Sequence, residues 1–278
     1  MNNKDITITI LLYKTPLNLL KNLKTYKSFK ILILDQSNDL INKKILKKIL
    51  PNIKYYGISK NNKGFAAGQN YLIKKVKTKY FFCTQPDINL SVNSILKLKK
   101  TIIRFKKNCI IAVPKIIGLR NFKIKEKNST LNEYAIKNMI GAAFMADKKK
   151  FADIGMFDKN FFFYWEDIDL SYRIMRSNYN IYLNLKSIAN HISGTSSKNN
   201  LKTQIIRDLN FQFGELLYDY KVKNLRFLKV FRQLIQNLIF FLFNVLIFRL
   251  KHFIRNIAKV IGILKFIKFY LIKISINI

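Results

Sequence analysis

The feature that most constrains this chain is a rhythm in its first 84 residues, where short apolar segments suited to strands alternate with longer segments of helical period. Ile6, Ile8 and Ile10 alternate with Thr7 and Thr9, the two-residue period of a strand. The pattern predicts strands over 6–13, 29–34, 54–58 and 80–84, and helices over 17–26, 42–50 and 67–76. Strands joined through helices pair in parallel, so the expected fold is α/β, a mostly parallel mixed sheet flanked by helices. With 278 residues, 49% of them apolar, the chain can fill such a core and carry an appendage, which excludes disorder throughout.

In sheets of this kind ligands gather beyond the carboxyl ends of the strands, so the polar residues there come first. Asp35 ends the second strand, where a carboxylate can accept hydrogen bonds from a base edge or a ribose hydroxyl; a solvated turn Asp reads equally well. The run Asn61-Asn-Lys-Gly-Phe-Ala-Ala-Gly-Gln-Asn70 holds Asn62, Gly64, Gly68 and Asn70 in a loop entering a helix, which can offer backbone N–H groups to a phosphate. It is not a Walker loop, because Lys63 precedes the glycine and no Gly-Lys-Ser/Thr follows. Gln85-Pro-Asp87 follows the apolar strand over 80–84. Asp87 there can ligate Mg²⁺ or Mn²⁺, a hard cation that bridges diphosphate oxygens, although Pro-Asp is also an ordinary turn.

The most informative segment is Phe161-Phe-Phe-Tyr-Trp-Glu-Asp-Ile-Asp-Leu-Ser-Tyr-Arg173, in which five aromatics lead into Glu166, Asp167 and Asp169. Acids at the start of a helix suit its dipole, and Asp169 and Arg173 form a favourable i,i+4 pair, so structure accounts for some of the cluster. A carboxylate against an aromatic wall has its pKa raised toward the range a general base needs.

The formal charge of +36, from 51 basic and 15 acidic residues, is compatible with nucleic acid, an anionic lipid or an anionic substrate. Lys, Ile and Asn are abundant throughout, so compositional bias accounts for the excess equally well. A nucleic-acid-binding protein leaves the acidic cluster and Asp87 unexplained, and no nucleic acid partner is expected. A catalytically silent scaffold that binds a ligand at the strand ends without turning it over is the other alternative. Cys83 and Cys109 sit in apolar stretches without metal or redox spacing and read as buried thiols of a reducing compartment. The N-terminus reads as a strand and not as a signal peptide, which points to the cytoplasmic side.

Taken in order, Asp35, the Gly-Phe-Ala-Ala-Gly loop, Pro-Asp87, Gly141-Ala-Ala-Phe-Met145 and Glu-Asp-Ile-Asp169 resemble the family 2 glycosyltransferases of GT-A type, and in particular their bacterial rhamnosyltransferase-like members. The resemblance runs from about Ile6 to Ser197. It implies a nucleotide-sugar site formed by Tyr13, Asp35, Asn62, Gly64, Gly68, Asn70 and Asp87, with Asp87 and His191 at the metal. Asp167 becomes the catalytic base of an inverting transfer, and Trp165, Glu166 and Asp169 become acceptor-site residues, although Glu166 and Asp169 also suit a tether for the helix and Trp165 also suits packing. The donor implied first is dTDP-rhamnose, with UDP- and GDP-sugars in reserve. The implied acceptor is a polyprenyl-diphosphate-linked glycan of O-antigen or another surface polysaccharide. Lys14, Gln36 and Gln85 depart from the family pattern.

The domains expected are a catalytic domain over 1–200 and a basic helical region over 201–278. Residues 233–248 are sixteen uncharged positions, short for a membrane span and including four Gln or Asn. On a helical wheel Arg226, Gln233, Asn237, Asn244, Lys251 and Arg255 fall near one line, which leaves a wide apolar face. The expectation is a helix lying in the plane of an anionic bilayer, with the protein peripheral on the inner face of the cell membrane. The alternatives are a helical subdomain packed on the catalytic core or a dimer interface.

Overall fold

The computed structural model of the protein describes residues 3–50, 52–57, 62–118, 132–191 and 201–276. The chain divides into two compact units, Met1–Asn160 with Asp167–Lys198, and Phe161–Glu166 with Asn199–Ile278. The five aromatics of the run and Glu166 are thus grouped with the C-terminal helices.

The first unit is built on one sheet. Strands β1 (Ile6–Leu12), β2 (Lys30–Asp35), β3 (Ile53–Gly57) and β4 (Tyr80–Thr84) lie in the order β3-β2-β1-β4, all parallel. They are joined through α1 (Leu17–Leu20) and a 3₁₀ turn (Lys21–Tyr26), α2 (Leu40–Ile49) and α3 (Gly64–Lys75). The single helix expected over 17–26 is therefore an α-turn followed by 3₁₀ geometry. β1 is flanked by β2 and β4, and its threonines are as buried as its isoleucines. Thr7 Oγ1 lies 2.7 Å from Thr78 Oγ1, which gives a buried hydroxyl its partner.

Beyond β4 the sheet becomes mixed. After β5 (Ile88–Leu90) and α4 (Val92–Arg104) come β6 (Cys109–Ile117), β7 (Glu133–Ile136), β8 (Ala143–Asp147), α5 (Lys148–Asp153), α6 (Glu166–Met175) and β9 (Asn180–His191). β8 inserts antiparallel between β4 and β6, β9 runs parallel to β6, and β5 and β7 pair antiparallel with β9. These directions bring the C-terminal ends of β1, β2, β3, β4, β6 and β9 and the first residue of β8 to one edge.

The second unit consists of α7 (Leu201–Lys221), α8 (Phe227–Leu246) and α9 (Leu250–Ile276), with α9 packed on both others. Gly262 lets α9 approach the α7 backbone, since a Cβ there would meet the Leu209 carbonyl oxygen at 2.5 Å. Phe213, Leu216, Leu217, Val230, Ile263 and Phe266 form its core together with Phe161. No described helix is long and apolar enough to cross a membrane.

The amide residues of the polar line on α8 turn away from solvent, while Arg226, Lys251 and Arg255 at its ends are exposed. Asn237 and Asn244 are buried, and Gln233 bonds Gln212 and Glu215 of α7. Lys229 pairs with Glu215 at 2.7 Å and Asp219 at 2.6 Å, while Arg255 of α9 reaches Asp208 at 3.3 Å. Burial opposes the charge on Lys229, but its hydrogen bonds and attraction to Asp219 and Glu215 outweigh that and raise its pKa. Most of the apolar residues of α8 are exposed, Val230 being the buried exception.

Candidate active site

The nucleotide side is assembled at the ends of β1 and β2. Tyr13, half-buried just past β1, has its N–H bonded to Thr15 Oγ1 at 3.3 Å. Asp35 is 0% exposed, and its two oxygens accept from Ser37 N (2.8 Å), Ser37 Oγ (2.6 Å), Asp39 N (3.3 Å) and Tyr55 Oη (2.7 Å). Its carboxylate thus organises the turn after β2. Gln36 joins this turn to the next loop, donating through Nε2 to the Gly64 carbonyl and accepting from Lys63 N at 2.8 Å. The glutamine that departs from the family pattern is thus a clamp.

Asn62 Oδ1 accepts from Gly64 N at 2.8 Å and shapes the entry to α3. Gly64 has φ +81°, a left-handed conformation that disfavours a side chain. At Gly68 a Cβ would lie 3.0–3.3 Å from Leu11 and Gln36, so a bare backbone lets α3 close on β1. Asn70 has a structural use: its amide donates to the Phe157 carbonyl (2.7 Å) and accepts from the Phe157 N–H (3.2 Å). Asn61, and the Gly194-Thr195-Ser196 turn after His191, lie outside the described residues.

Asp87 and His191 are 104 positions apart in the chain, and the pairing of β5 with β9 sets Ile88 opposite His191. The His191 imidazole Nε2 stands 3.6 Å from Asp87 Oδ2, with Asp87 only 2% exposed. No group of three His, Cys, Asp or Glu able to hold a metal occurs among the described residues. One carboxylate and one imidazole nevertheless suit a divalent cation that takes its remaining oxygens from substrate phosphates and water, so the pair fits the expected metal.

Asp167 is fixed on the first turn of α6. Gly141 N donates to its Oδ2 at 2.8 Å and Ile168 N to its Oδ1 at 2.9 Å. Burial raises the carboxyl pKa, and those backbone N–H groups partly oppose the rise. The backbone approach depends on glycine, because a Cβ on Gly141 would stand 3.2 Å from that of Asp167. Ser171 Oγ ties the same turn, donating to the Asp167 carbonyl at 2.6 Å and accepting from Met139 N at 3.2 Å. Gly141 precedes β8 by two residues, and Ala143 of β8 pairs with Thr84, three residues before Asp87. Asp167 and Asp87 therefore belong to the same sheet edge.

The remaining acids of the cluster differ. Asp169 is 1% exposed and bonds Arg173 Nε and Nη2, each at 2.9 Å. Arg173 also donates to the carbonyls of Ile154 and Met156, each at 2.7 Å. The geometry gives Asp169 the tethering role and not that of an exposed acceptor contact, because its charge is already neutralised inside the fold. Glu166 is buried and opens α6. Ahead of it, Tyr164 and Trp165 both have positive φ, +70° and +71°, a strained conformation for bulky residues. Trp165 packs its indole against Phe211 and Tyr218, and a Cβ on Gly214 would meet its Cδ1 at 2.8 Å. That is packing within the helical unit, the alternative to stacking on a sugar.

Sequence reasoning missed Tyr55, which no local pattern distinguishes from a strand tyrosine, and Gly214, and undervalued Gln36. Gly141 was visible only as part of a motif.

A sequence model described as Glycosyl transferase family 2 matches residues 11–171. Among curated proteins none matches the chain. Solved structures with a similar fold include GalNAc-T7 with UDP, GalNAc and Mn²⁺, at TM-score 0.59 and 14% identity over 77% of this chain and 48% of that one. Residues 1–349 of S. aureus TarS align at TM-score 0.55 and 12% identity over 74% of this chain and 65% of that one. The mannosyltransferase PcManGT from Pyrobaculum calidifontis, in complex with GDP-Man and Mn²⁺, aligns at 0.57 and 10%, over 78% and 65%. The chain thus spans between about half and just under two thirds of the structures it matches, and at these identities the likeness establishes the fold alone.

Proposed function

We propose that this chain, which belongs to glycosyltransferase family 2 and is a glycosyltransferase, transfers a sugar with inversion from a nucleoside diphosphate to a hydroxyl of a glycan carried on a polyprenyl diphosphate. The observation that carries the reading is Asp167, pinned by Gly141 N–H beside the strand pair that also presents Asp87. A half-buried carboxylate of raised pKa, held by backbone and facing the edge where parallel strands end, has the attributes of a general base next to a diphosphate.

In the proposed reaction Asp167 accepts the proton of the acceptor hydroxyl as that oxygen forms a bond to the anomeric carbon. The bond from that carbon to the diphosphate oxygen breaks on the opposite face, and its electron pair leaves with the nucleoside diphosphate. Asp87 and His191 would hold a divalent cation, Mg²⁺ or Mn²⁺, whose charge offsets that of the leaving diphosphate. Tyr13, the turn organised by Asp35, and the Asn62–Gly64 entry to α3 are the proposed nucleotide wall. Glu166, the base's neighbour in the chain, is the proposed acceptor-orienting acid.

The rhamnosyltransferase-like sequence pattern supports dTDP-rhamnose as donor and assembly of O-antigen or another surface polysaccharide as the setting, on the inner face of the cell membrane. The test is hydrolysis and transfer across dTDP-, UDP- and GDP-sugars with Mg²⁺, Mn²⁺ or EDTA. One donor should release its nucleoside diphosphate in a metal-dependent way, and Asp87→Ala should abolish that release. Asp167→Asn should retain donor binding while transfer falls by about 10²–10⁴-fold. Donor binding without turnover on any acceptor would instead establish a silent binding module.

A further inference from the structure

We propose that the exposed face of α8 is a lipid-docking surface that seats the protein on an anionic bilayer with the helix in the plane of the interface. This deepens the reading above, which sets the acceptor at a membrane, by naming the surface and its orientation. In a water-facing helix the polar residues point outward, and here the order is inverted. Gln233, Asn237 and Asn244 turn inward, with Gln233 spent on Gln212 and Glu215. Asn237 and Asn244 satisfy their amides on the carbonyls one turn back, Gln233 and Phe240.

The outward face is mostly apolar, interrupted by Arg232 and Gln236. Leu228 is 77% exposed, Phe231 61%, Leu242 60% and Leu246 75%, and Phe248 just past the helix is 87% exposed. At 100° per residue the exposed Leu, Ile, Val and Phe of α8 spread over about three fifths of its circumference, far more than the scattered apolar residues of an ordinary surface. No described helix is long and apolar enough to span a membrane; the breadth of the exposed apolar face is what suits α8 to lie on one.

Charge selects the occupant. From Phe227 to Ile276 the chain carries nine Lys or Arg and no Asp or Glu. Lys229 and Arg255 pair with acids of α7, while Arg232 and Arg249 are exposed at either end of the apolar run. A second copy docked on this face would bring like charges together across the contact. A bilayer containing anionic lipid supplies both hydrocarbon for the apolar face and counter-charge for its flanks.

The experiment is co-sedimentation of the full chain with phosphatidylcholine vesicles, with and without phosphatidylglycerol. Its controls are circular dichroism, thermal melting and the lipid-free oligomeric state. The variant Phe231→Ser with Leu242→Ser and Leu246→Ser alters only exposed side chains, so it should keep its fold and melt while losing about tenfold in partitioning per residue. Arg232→Gln with Arg249→Gln should lose about fivefold per charge on phosphatidylglycerol vesicles and little on phosphatidylcholine. Undiminished vesicle binding by the triple variant, no binding by the parent chain, or a lipid-free dimer that the triple variant splits would each overturn the proposal. Vesicle binding needs no donor or turnover, so it stands or falls separately from the transferase reading.

Discussion

Burial and hydrogen bonding act in opposite directions on the Asp167 carboxyl. Desolvation favours the protonated form, the N–H groups of Gly141 and Ile168 favour the charged one, and the net shift is upward. A base must be ionised to accept a proton, so transfer should decline as pH falls through that raised pKa. The acid limb of kcat/KM should therefore lie above the ordinary aspartate value of 3.8. The same shift has a stability consequence with a fixed sign. A carboxyl whose folded pKa exceeds its unfolded value penalises the fold once ionised, fully above the folded pKa, and the penalty disappears as pH falls below the unfolded one. Asp167→Asn should thus melt above the parent at neutral pH, and the gap should close in acid. Gly141→Ala tests the geometry: the added Cβ crowds that of Asp167, so kcat should drop at least tenfold with donor affinity unchanged. A third residue carries a cost without an assigned role, since Gln69 is 0% exposed and neither end of its amide has a partner among the described residues. Gln69→Met keeps the shape and removes the unmet polar groups, and should stabilise by about 1–3 kcal/mol in denaturant titration.

At the scale of elements, the strands that alternate with helices were legible because period and order coincide there: β1 to β4 are parallel and lie where the pattern sets them. The mixed half was not legible. β8 reads as an apolar run like β4, and nothing local in Ala143–Asp147 encodes that its partners run the other way. The acidic cluster was legible as a cluster but not as a division of labour, because side-chain direction decides it. One turn of α6 gives Asp167 to the backbone of Gly141 and Asp169 to Arg173. Arg173 anchors the helix to the Ile154–Met156 turn through two carbonyls as well as to Asp169. Lysine would keep the charge but cannot span three acceptors from a planar fork, so Arg173→Lys should destabilise by about 2–4 kcal/mol by thermal or chemical denaturation.

For the whole molecule, the grouping of Phe161–Glu166 with the C-terminal helices changes what those helices are for. A composition shift near residue 200 suggests a separable appendage, and the wheel of α8 identified its polar line without revealing that Gln233, Asn237 and Asn244 turn inward and that Gln233 bonds α7. The fold uses this unit to hold the aromatic run. Phe161 lies in its core, Trp165 rests on Phe211 and Tyr218, and Gly214 leaves the space the indole occupies. The positive φ of Tyr164 and Trp165 costs about 1–3 kcal/mol each and persists only while such packing supports it. A chain ending at Asn200 loses all of those partners at once. The strained turn ahead of Glu166 and Asp167 should then relax, Phe161 and Trp165 should become exposed, and donor turnover should fall together with the melting temperature. Gly214→Val separates this from a general loss of folding, since it displaces one indole and leaves the helices intact. Its Trp fluorescence should shift to the red and its kcat should fall, while α-helical circular dichroism stays within a few percent of the parent. If turnover survives in both variants, the helices serve the chain's location and not its active site.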